Sequence, residues 1–360
     1  MNRILVYGMT DNPGGIETYL MNEFSLLDCS KAIFDFVVDF PSMCYSETVQ
    51  EKGSKIFFIP AKSKGLFAQW RAFYKLLKEH PEYKKVYFNI LDAGAALTML
   101  IPWLLRREII VHSHNNDTDK RRLHRLCRPF LCLFTKKYCA CSQSAATYMF
   151  DKKASRALIV PNAIDCKKYA FNSQLRTQKR CELELSPEQF VICHVGRLSR
   201  QKNVERLLEI FREIIKTEKN VVLLSVGDGE DREKIKNYAA ELGVSPLVRF
   251  LGRRSDVAQI MQAADVFVLP SLYEGLGIVA VEAQAAGLPC VLSAQIPQEV
   301  AMEKQVEFVS LDAPDEVWKK AIMSYKGAPR AASCLELEKA GYDLNKPGAA
   351  QRELTAYFES

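Results

Sequence analysis

The feature that most narrows what this chain can fold into is an alternation running along its length: short apolar, β-rich runs separated by stretches with helical spacing. Strand candidates fall at 3–8, 33–39, 55–59, 85–90, 108–113 and 137–141, and then at 158–160, 189–195, 220–226, 247–251, 265–269 and 289–292. Between them, residues 15–27, 66–79, 204–217, 232–242 and 279–286 repeat apolar side chains at three- and four-residue intervals, the period of a helix face. Unbroken apolar strands alternating with helices are what parallel sheets require, because every crossover lays a helix on the sheet and buries both faces. The expectation is an α/β protein with two doubly wound lobes.

Length asks for the same division, since 360 residues exceed the roughly 100–200 that one domain usually holds. The run Ile159-Val160-Pro161-Asn162-Ala163-Ile164-Asp165 ends a strand in turn chemistry, and a polar stretch, 167–188, follows it. A linker is therefore expected near 161–172, with an N-terminal domain over 1–165 and a C-terminal domain over 166–345. A final amphipathic stretch within 346–360 could pack on either.

Hydrophobic residues at 48% with 26% charged exclude disordered, collagenous and disulfide-scaffold chains. The 11 cysteines are odd in number and scattered, with no CxxC pair, which points to reduced thiols and no zinc site. The first apolar run, Ile4 to Gly8, is too short for a signal peptide. The longest, Ala93 to Leu105, ends at Arg106-Arg107, short of the roughly 20 residues a spanning helix needs. A cytoplasmic protein is expected. Its positive charge sits in residues 1–165, with 23 Lys and Arg against 16 Asp and Glu, while the remainder is near neutral.

The segment richest in chemistry is Val266 to Ala283, a buried strand, a loop reading Pro270-Ser271-Leu272-Tyr273-Glu274-Gly275-Leu276-Gly277, and a helix. The amides of Leu276, Gly277 and Ile278 should open that helix without acceptors, where an anion is favoured. Glu274 and Glu282 bracket them, and acceptor-only carboxylates suit sugar hydroxyls. Spacing alone leaves open a helix cap and a solvated helical acid.

A second strand leaves through Gly196-Arg197-Leu198-Ser199-Arg200-Gln201-Lys202. Two fixed cations there could stabilise the charge of a departing diphosphate in place of a metal; surface Arg and Lys are also common. Val226-Gly227-Asp228-Gly229-Glu230 and Phe250-Leu251-Gly252-Arg253-Arg254 follow two further strands. In a doubly wound sheet, turns at the carboxyl ends of strands line one crevice. Asp228, Glu230 and Asp231 lack the spacing of a calcium loop and read as solvated acids at a helix start.

In the first half, the Gly14-Gly15 pair within Asn12 to Glu17 lets backbone approach a ligand, without forming a Walker A or GxGxxG loop. Val111-His112-Ser113-His114-Asn115-Asn116 ends a strand at what should be a crevice mouth, and one of its histidines could touch substrate. A zinc pair there has no third ligand in view. Lys120 to Lys137 carries seven Lys and Arg and no acid, interleaved with Leu123, Leu126, Phe130, Leu131, Leu133 and Phe134. That pattern suits an anionic membrane surface, or a solvated face on an ordinary core helix. No nucleic-acid motif accompanies the charge, so nucleic acid is not an expected partner.

Taken together these residues resemble the glycosyltransferases of GT-B type, specifically the large retaining family 4 (glycosyl transferases group 1), over nearly the whole chain. The most specific mark is Glu-x7-Glu, matched by Glu274 and Glu282 in a Pro-Ser-x-x-Glu-Gly-x-Gly setting. Gly196-Arg197-x4-Lys202 matches the family's diphosphate-binding pair, and Phe250-Leu251-Gly252, with Arg253, the turn beside the nucleobase. The resemblance implies two Rossmann-like lobes with an interlobe cleft, the C-terminal lobe holding a nucleotide sugar and the N-terminal lobe the acceptor. It implies Arg197 and Lys202 on the diphosphate, Glu282 on the ribose, Glu274 on the donor sugar with the amides at Leu276 and Gly277, and His114 near the transferred sugar's hydroxymethyl group. Gly14 and Gly15 would close on the phosphates, and Gly227 would line the same crevice. Leu276 stands where relatives often carry an aromatic.

The activity implied is retaining transfer, without metal or other cofactor, from a UDP-sugar to a glycan or lipid-linked acceptor. The Pro-Gly-Gly-Ile-Glu loop and His-Ser-His-Asn turn are similar to bacterial enzymes of exopolysaccharide or capsule assembly, which implies a place on the inner face of the plasma membrane. An epimerase or phosphorylase on the same fold, and a catalytically silent nucleotide-sugar-binding subunit, are the rival readings.

Overall fold

A computed structural model describes residues 1–330 and 334–360, in two compact units: Met1–Ala163 with Pro347–Ser360, and Ile164–Lys346.

In the first unit, strands β1 (Asn2–Tyr7), β2 (Ala32–Val38), β3 (Ile56–Phe58), β4 (Lys85–Ile90), β5 (Glu108–Ser113), β6 (Lys137–Ala140) and β7 (Leu158–Ile159) form one sheet, all pairs parallel, in the order β3-β2-β1-β4-β5-β6-β7. The order reverses between β1 and β4, and the loops leaving their carboxyl ends flank that switch point. Central strands are apolar throughout because helices cover both faces: Ile4, Leu5 and Val6 of β1 and every residue of β2 are buried. Helix Leu66–Glu79 shows the matching logic at helical period, turning Gln69, Phe73, Leu76 and Leu77 inward. The C-terminal helix Ala349–Glu359 belongs to this unit and lays Leu354 and Phe358 into the same core, the Phe358 ring edge-on to Phe34 at 5.1 Å. Asp35, buried on β2, is held by the Arg3 guanidinium at 2.6 and 2.7 Å and by the Tyr83 hydroxyl at 2.8 Å, which a charge in such a place requires.

In the second unit, strands β8 (Phe190–Val195), β9 (Val221–Val226), β10 (Val248–Gly252), β11 (Val266–Leu269), β12 (Cys290–Ser293) and β13 (Val306–Val309) are again all parallel, in the order β10-β9-β8-β11-β12-β13. The switch point lies between β8 and β11. Helix Val204–Ile215 buries Val204, Leu207, Leu208, Phe211 and Ile214 against the sheet, with Trp318 beside them.

Two elements differ from expectation. The polar stretch 167–188 is largely helical, with helices Cys166–Tyr169 and Ser173–Glu182. Its stability comes from arginine on carbonyls instead of an apolar face. Arg176 donates to the carbonyls of Gln262, Ala263 and Ala264, and Arg180 to those of Ala263, Ser186 and Gln189. Arg330 reaches the same helix end, Val257–Ala263, from the other direction, on Met261, Gln262 and Ala264. Carbonyls left over at a helix C-terminus favour cations. The other difference is β13, Val-Glu-Phe-Val, a half-exposed edge strand too short and too mixed to stand out in the sequence.

Candidate active site

In the second unit the loops after β8 and β11 carry the two motifs onto either side of the switch point. Their joining is local and explicit. Leu272 donates its amide to Gln201 O at 2.8 Å, Gln201 Nε2 donates to Tyr273 O at 2.9 Å, and Asn203 Nδ2 to Pro270 O at 3.1 Å. Pinned by these bonds, Lys202 Nζ donates to Glu274 Oε1 at 2.6 Å, with the lysine side chain 16% and the glutamate 8% exposed. Ser271 Oγ donates to the same oxygen at 2.7 Å and Ser293 Oγ ties the Ser271 carbonyl to β12. A charge pair this sheltered from water is a strong local field, and it sits where the helix Ile278–Ala285 begins.

Gly277, at φ +87°, is the residue before that helix. Only glycine takes this conformation without steric cost. Its amide, with that of Ile278, belongs to the group that a helix leaves without intrahelical acceptors, and Leu276 stands just before them. Glu282 lies one turn along on the same helix, buried, and its Oε1 accepts from the Tyr169 hydroxyl at 2.8 Å. Burial pushes the Glu282 carboxyl up to about 7, opposed by the Tyr169 hydrogen bond and by the charges of Lys168 and Lys202. Neither glutamate is therefore a solvated surface acid.

The turns after β8, β9 and β10 are stitched edge to edge: Gly196 N to Val226 O at 2.9 Å, and Gly227 N to Gly252 O at 2.8 Å. Gly227 has φ +132°, and a side chain there would run into the Gly196 carbonyl. This brings Gly196, Gly227 and Leu251 to one rim. The Lys202 methylenes lie over Gly196, 3.2–3.3 Å from where a Cβ would stand. Arg197 is not part of that cluster: it is 67% exposed and its Nε pairs with Glu230 at 2.9 Å. Arg253 is exposed just past β10. Asp228 is bonded to Arg232, so the acidic group after β9 is engaged in surface ion pairs.

In the first unit, Gly14 precedes helix Gly15–Leu26, which follows β1. Glu17 folds back on this turn, accepting from Thr10 Oγ1 at 2.7 Å, and burial raises its carboxyl. At the end of β5 the His112 and His114 rings stack at 4.3 Å. His114 Nε2 lies 2.8 Å from Asn89 Oδ1, an acceptor, so that nitrogen carries the proton and Nδ1 is left as an acceptor. Burial holds His114 down to about 3 and His112 well below the usual imidazole range, so both rings are neutral at physiological pH.

Sequence reasoning missed Tyr169 and Asn89. Tyr169 stands 113 positions from its carboxylate inside a stretch that reads as a linker, with no local signal. Ser271 was visible within Pro-Ser-x-x-Glu but carried no assigned role.

Two parallel, doubly wound sheets, the second with a cation–carboxylate pair and a glycine-headed helix at its switch point, define a glycosyltransferase of GT-B fold. The family model described as Glycosyl transferases group 1 matches residues 176–325. A protein named as glycosyltransferase EpsF in Bacillus subtilis (strain 168) is 30% identical over 351 residues, 93% of this chain and 91% of that one. The Escherichia coli UDP-Gal:alpha-D-GlcNAc-diphosphoundecaprenol alpha-1,3-galactosyltransferase is 30% identical over 66% of each chain. Among solved structures, Anabaena Alr3699/HepE in complex with UDP and glucose superposes with a TM-score of 0.81 at 19% identity over 99% of both chains. WaaG, a glycosyltransferase involved in lipopolysaccharide biosynthesis, gives 0.69 at 19% identity over 94% of this chain and 98% of its own. The chain belongs to the glycosyl transferases group 1 family.

Proposed function

We propose that this glycosyltransferase is a retaining, family 4 enzyme that moves a sugar from a UDP-sugar to a hydroxyl of a glycan or lipid-linked acceptor, in exopolysaccharide, capsule or other cell-surface glycan assembly. The observation that carries the reading is the Lys202–Glu274 pair held by Ser271 beside the first amides of helix Ile278–Ala285. A nucleotide diphosphate arriving there meets a preorganised cation and backbone N–H groups, which act on charge as it develops in the transition state.

In this account Lys202 exchanges part of its interaction with Glu274 for the diphosphate, and Arg197 swings from Glu230 to join it. These cations and the amides at Leu276, Gly277 and Ile278 take the role a divalent ion has elsewhere. Glu282 accepts from the ribose hydroxyls, with Tyr169 holding its other face, and Glu274 accepts from the donor sugar. Gly196, Gly227, Leu251 and Arg253 frame the nucleotide. The acceptor oxygen bonds to the anomeric carbon on the face the diphosphate leaves, and the departing phosphate oxygen takes the acceptor's proton. Atoms and charge balance without a carboxylate nucleophile, in contrast to the paired acids of retaining hydrolases. His114 is neutral and has Nδ1 left to accept from a sugar hydroxyl, the role the family resemblance implies for it, as it implies a phosphate contact for the Gly14-Gly15 turn.

UDP as donor and a lipid-linked acceptor are supported by the name of the Escherichia coli relative, and exopolysaccharide by likeness to EpsF. No helix among the described residues is long and apolar enough to cross a membrane. Peripheral binding to the inner face of the plasma membrane is supported by helix Arg121–Phe134. It buries His124, Cys127, Leu131 and Phe134 and leaves Leu126, Phe130 and Leu133 58–71% exposed. Arg121 and Arg128 are paired with Asp117 and Asp151, whereas Arg122 and Arg125 form no ion pair among the described residues. Exposed apolar groups beside such cations suit anionic lipid.

The test is a thermal-shift panel of UDP, GDP, ADP and their sugars, followed by transfer to lipid-linked acceptor and determination of the product's anomeric configuration. UDP-specific stabilisation and a product with the donor's configuration support the reading. Inversion, or stabilisation by another base alone, refutes it.

A further inference from the structure

In the second unit, away from the diphosphate cations, Cys166 opens the short helix Cys166–Tyr169, and Cys334 precedes helix Leu335–Lys339. Cys334 Sγ lies against the backbone of Cys166, 3.6 Å from its carbonyl oxygen, and 3.9 Å from the Ala285 carbonyl oxygen. Cys334 is half-buried and reachable from solvent, while Cys166 is 2% exposed beneath it. Three residues beyond Cys166, the same short helix presents the hydroxyl of Tyr169 to Glu282, and Ala285 ends the helix on which Glu282 lies. The thiol pair therefore spans the two elements whose contact fixes that carboxylate.

We propose that Cys166 and Cys334 are a redox modification site, closed to a disulfide by a hydroperoxide, and that closure shifts Tyr169 relative to Glu282. Cys334 is the thiol that solvent reaches, Cys166 being buried, and Cys166 beside it holds the Cys334 thiol below its ordinary range, so Cys334 is the sulfur that attacks. Its sulfur attacks one peroxide oxygen, the O–O bond breaks, and hydroxide leaves to become water. The resulting sulfenic acid is then attacked by the Cys166 sulfur: the S–S bond forms, the S–O bond breaks, and a second water departs. Two thiols lose two hydrogens and one peroxide becomes two waters. Reduced thiols are the resting state in a reducing compartment, and a pair poised in this way is reversible there.

The full chain, reduced, is treated with a few equivalents of hydrogen peroxide, alkylated and peptide-mapped. A linked Cys166–Cys334 peptide, a mass about 2 Da lower, reversal by dithiothreitol and loss of the link in Cys334→Ser support the site. Cys334 oxidised without linkage, or both thiols still alkylated, overturns it. The consequence for Glu282 rests on the donor reading above and is measured as UDP affinity. A change of about tenfold on oxidation of the wild type, absent in Cys334→Ser, supports the coupling, and equal affinities with the disulfide formed overturn it. A reduced chain that binds no UDP refutes the donor reading instead, and the linked peptide still decides the site.

Discussion

Replacing Lys202 by methionine keeps the methylenes that lie over Gly196 and removes only the charge, which isolates the ion pair. The lost partner stands 2.6 Å from a carboxylate that is 8% exposed. At an effective dielectric of about 20 that separation corresponds to roughly 6 kcal/mol of gross attraction, most of it offset by the cost of desolvating both groups. Leaving one member of a buried pair behind typically costs about 3–5 kcal/mol. Ser271 Oγ still donates to Glu274, so the lower end, about 3 kcal/mol, is expected. For a unit of this size that lowers the melting midpoint by about 6–12 °C. Trp318, buried in the second unit, reports the transition by fluorescence once Trp70 and Trp103 are changed to phenylalanine. Glu274→Gln alone should cost a similar amount, and the double variant little more than either, because neither charge is then stranded. Losses that add to within about 0.5 kcal/mol would refute the argument that the two groups act as one sheltered pair.

Four further outcomes follow from the geometry. With its carboxyl at about 7 because of burial, Glu282 should ionise to accept from ribose only as pH rises through 7. UDP-sugar affinity measured by calorimetry should climb between pH 6 and 8, and Glu282→Gln should flatten the profile. The same raised value means the folded chain holds a proton the unfolded chain has released between 4.5 and about 7, so the unliganded protein should lose stability over that interval. Gly227→Ala, at φ +132° and against the Gly196 carbonyl, should cost about 3 kcal/mol by denaturant unfolding. Leu126→Asn with Phe130→Asn should reduce partition into phosphatidylglycerol vesicles by about three orders of magnitude, at about 2 kcal/mol per side chain, with the melting midpoint unchanged.

Parallel sheets are unusually legible in sequence because their strands are buried on both faces. β4 and β5 fall at 85–90 and 108–113, as their apolar runs predict, and helix 66–79 follows its own period. What the period cannot reveal is structure held by other forces. Helix Ser173–Glu182 has almost no apolar stripe, and its arginines are held by carbonyls 83 and 88 positions away, together with others just past the helix end. β13 is an edge, where one side of the strand meets water and the pattern breaks. At the site, a glycine-bearing strand–loop–helix was visible in Pro270 to Ala283, since its chemistry is local. The bond from Lys202 to Glu274 spans 72 positions and the one from Tyr169 to Glu282 spans 113. Such pairings depend on where the strand order reverses, which no stretch of residues states.

In the reaction proposed above, Lys202 neutralises the nucleotide diphosphate without help from a divalent ion. Calorimetric titration of UDP into the whole chain in EDTA tests it most directly, run beside Lys202→Met at a temperature where both are folded. Binding that persists in EDTA and weakens at least tenfold in the variant, the loss of about one charge-assisted contact, is the expected result. Equal affinity in the two proteins, or binding by the wild type only when a divalent cation is restored, would contradict it.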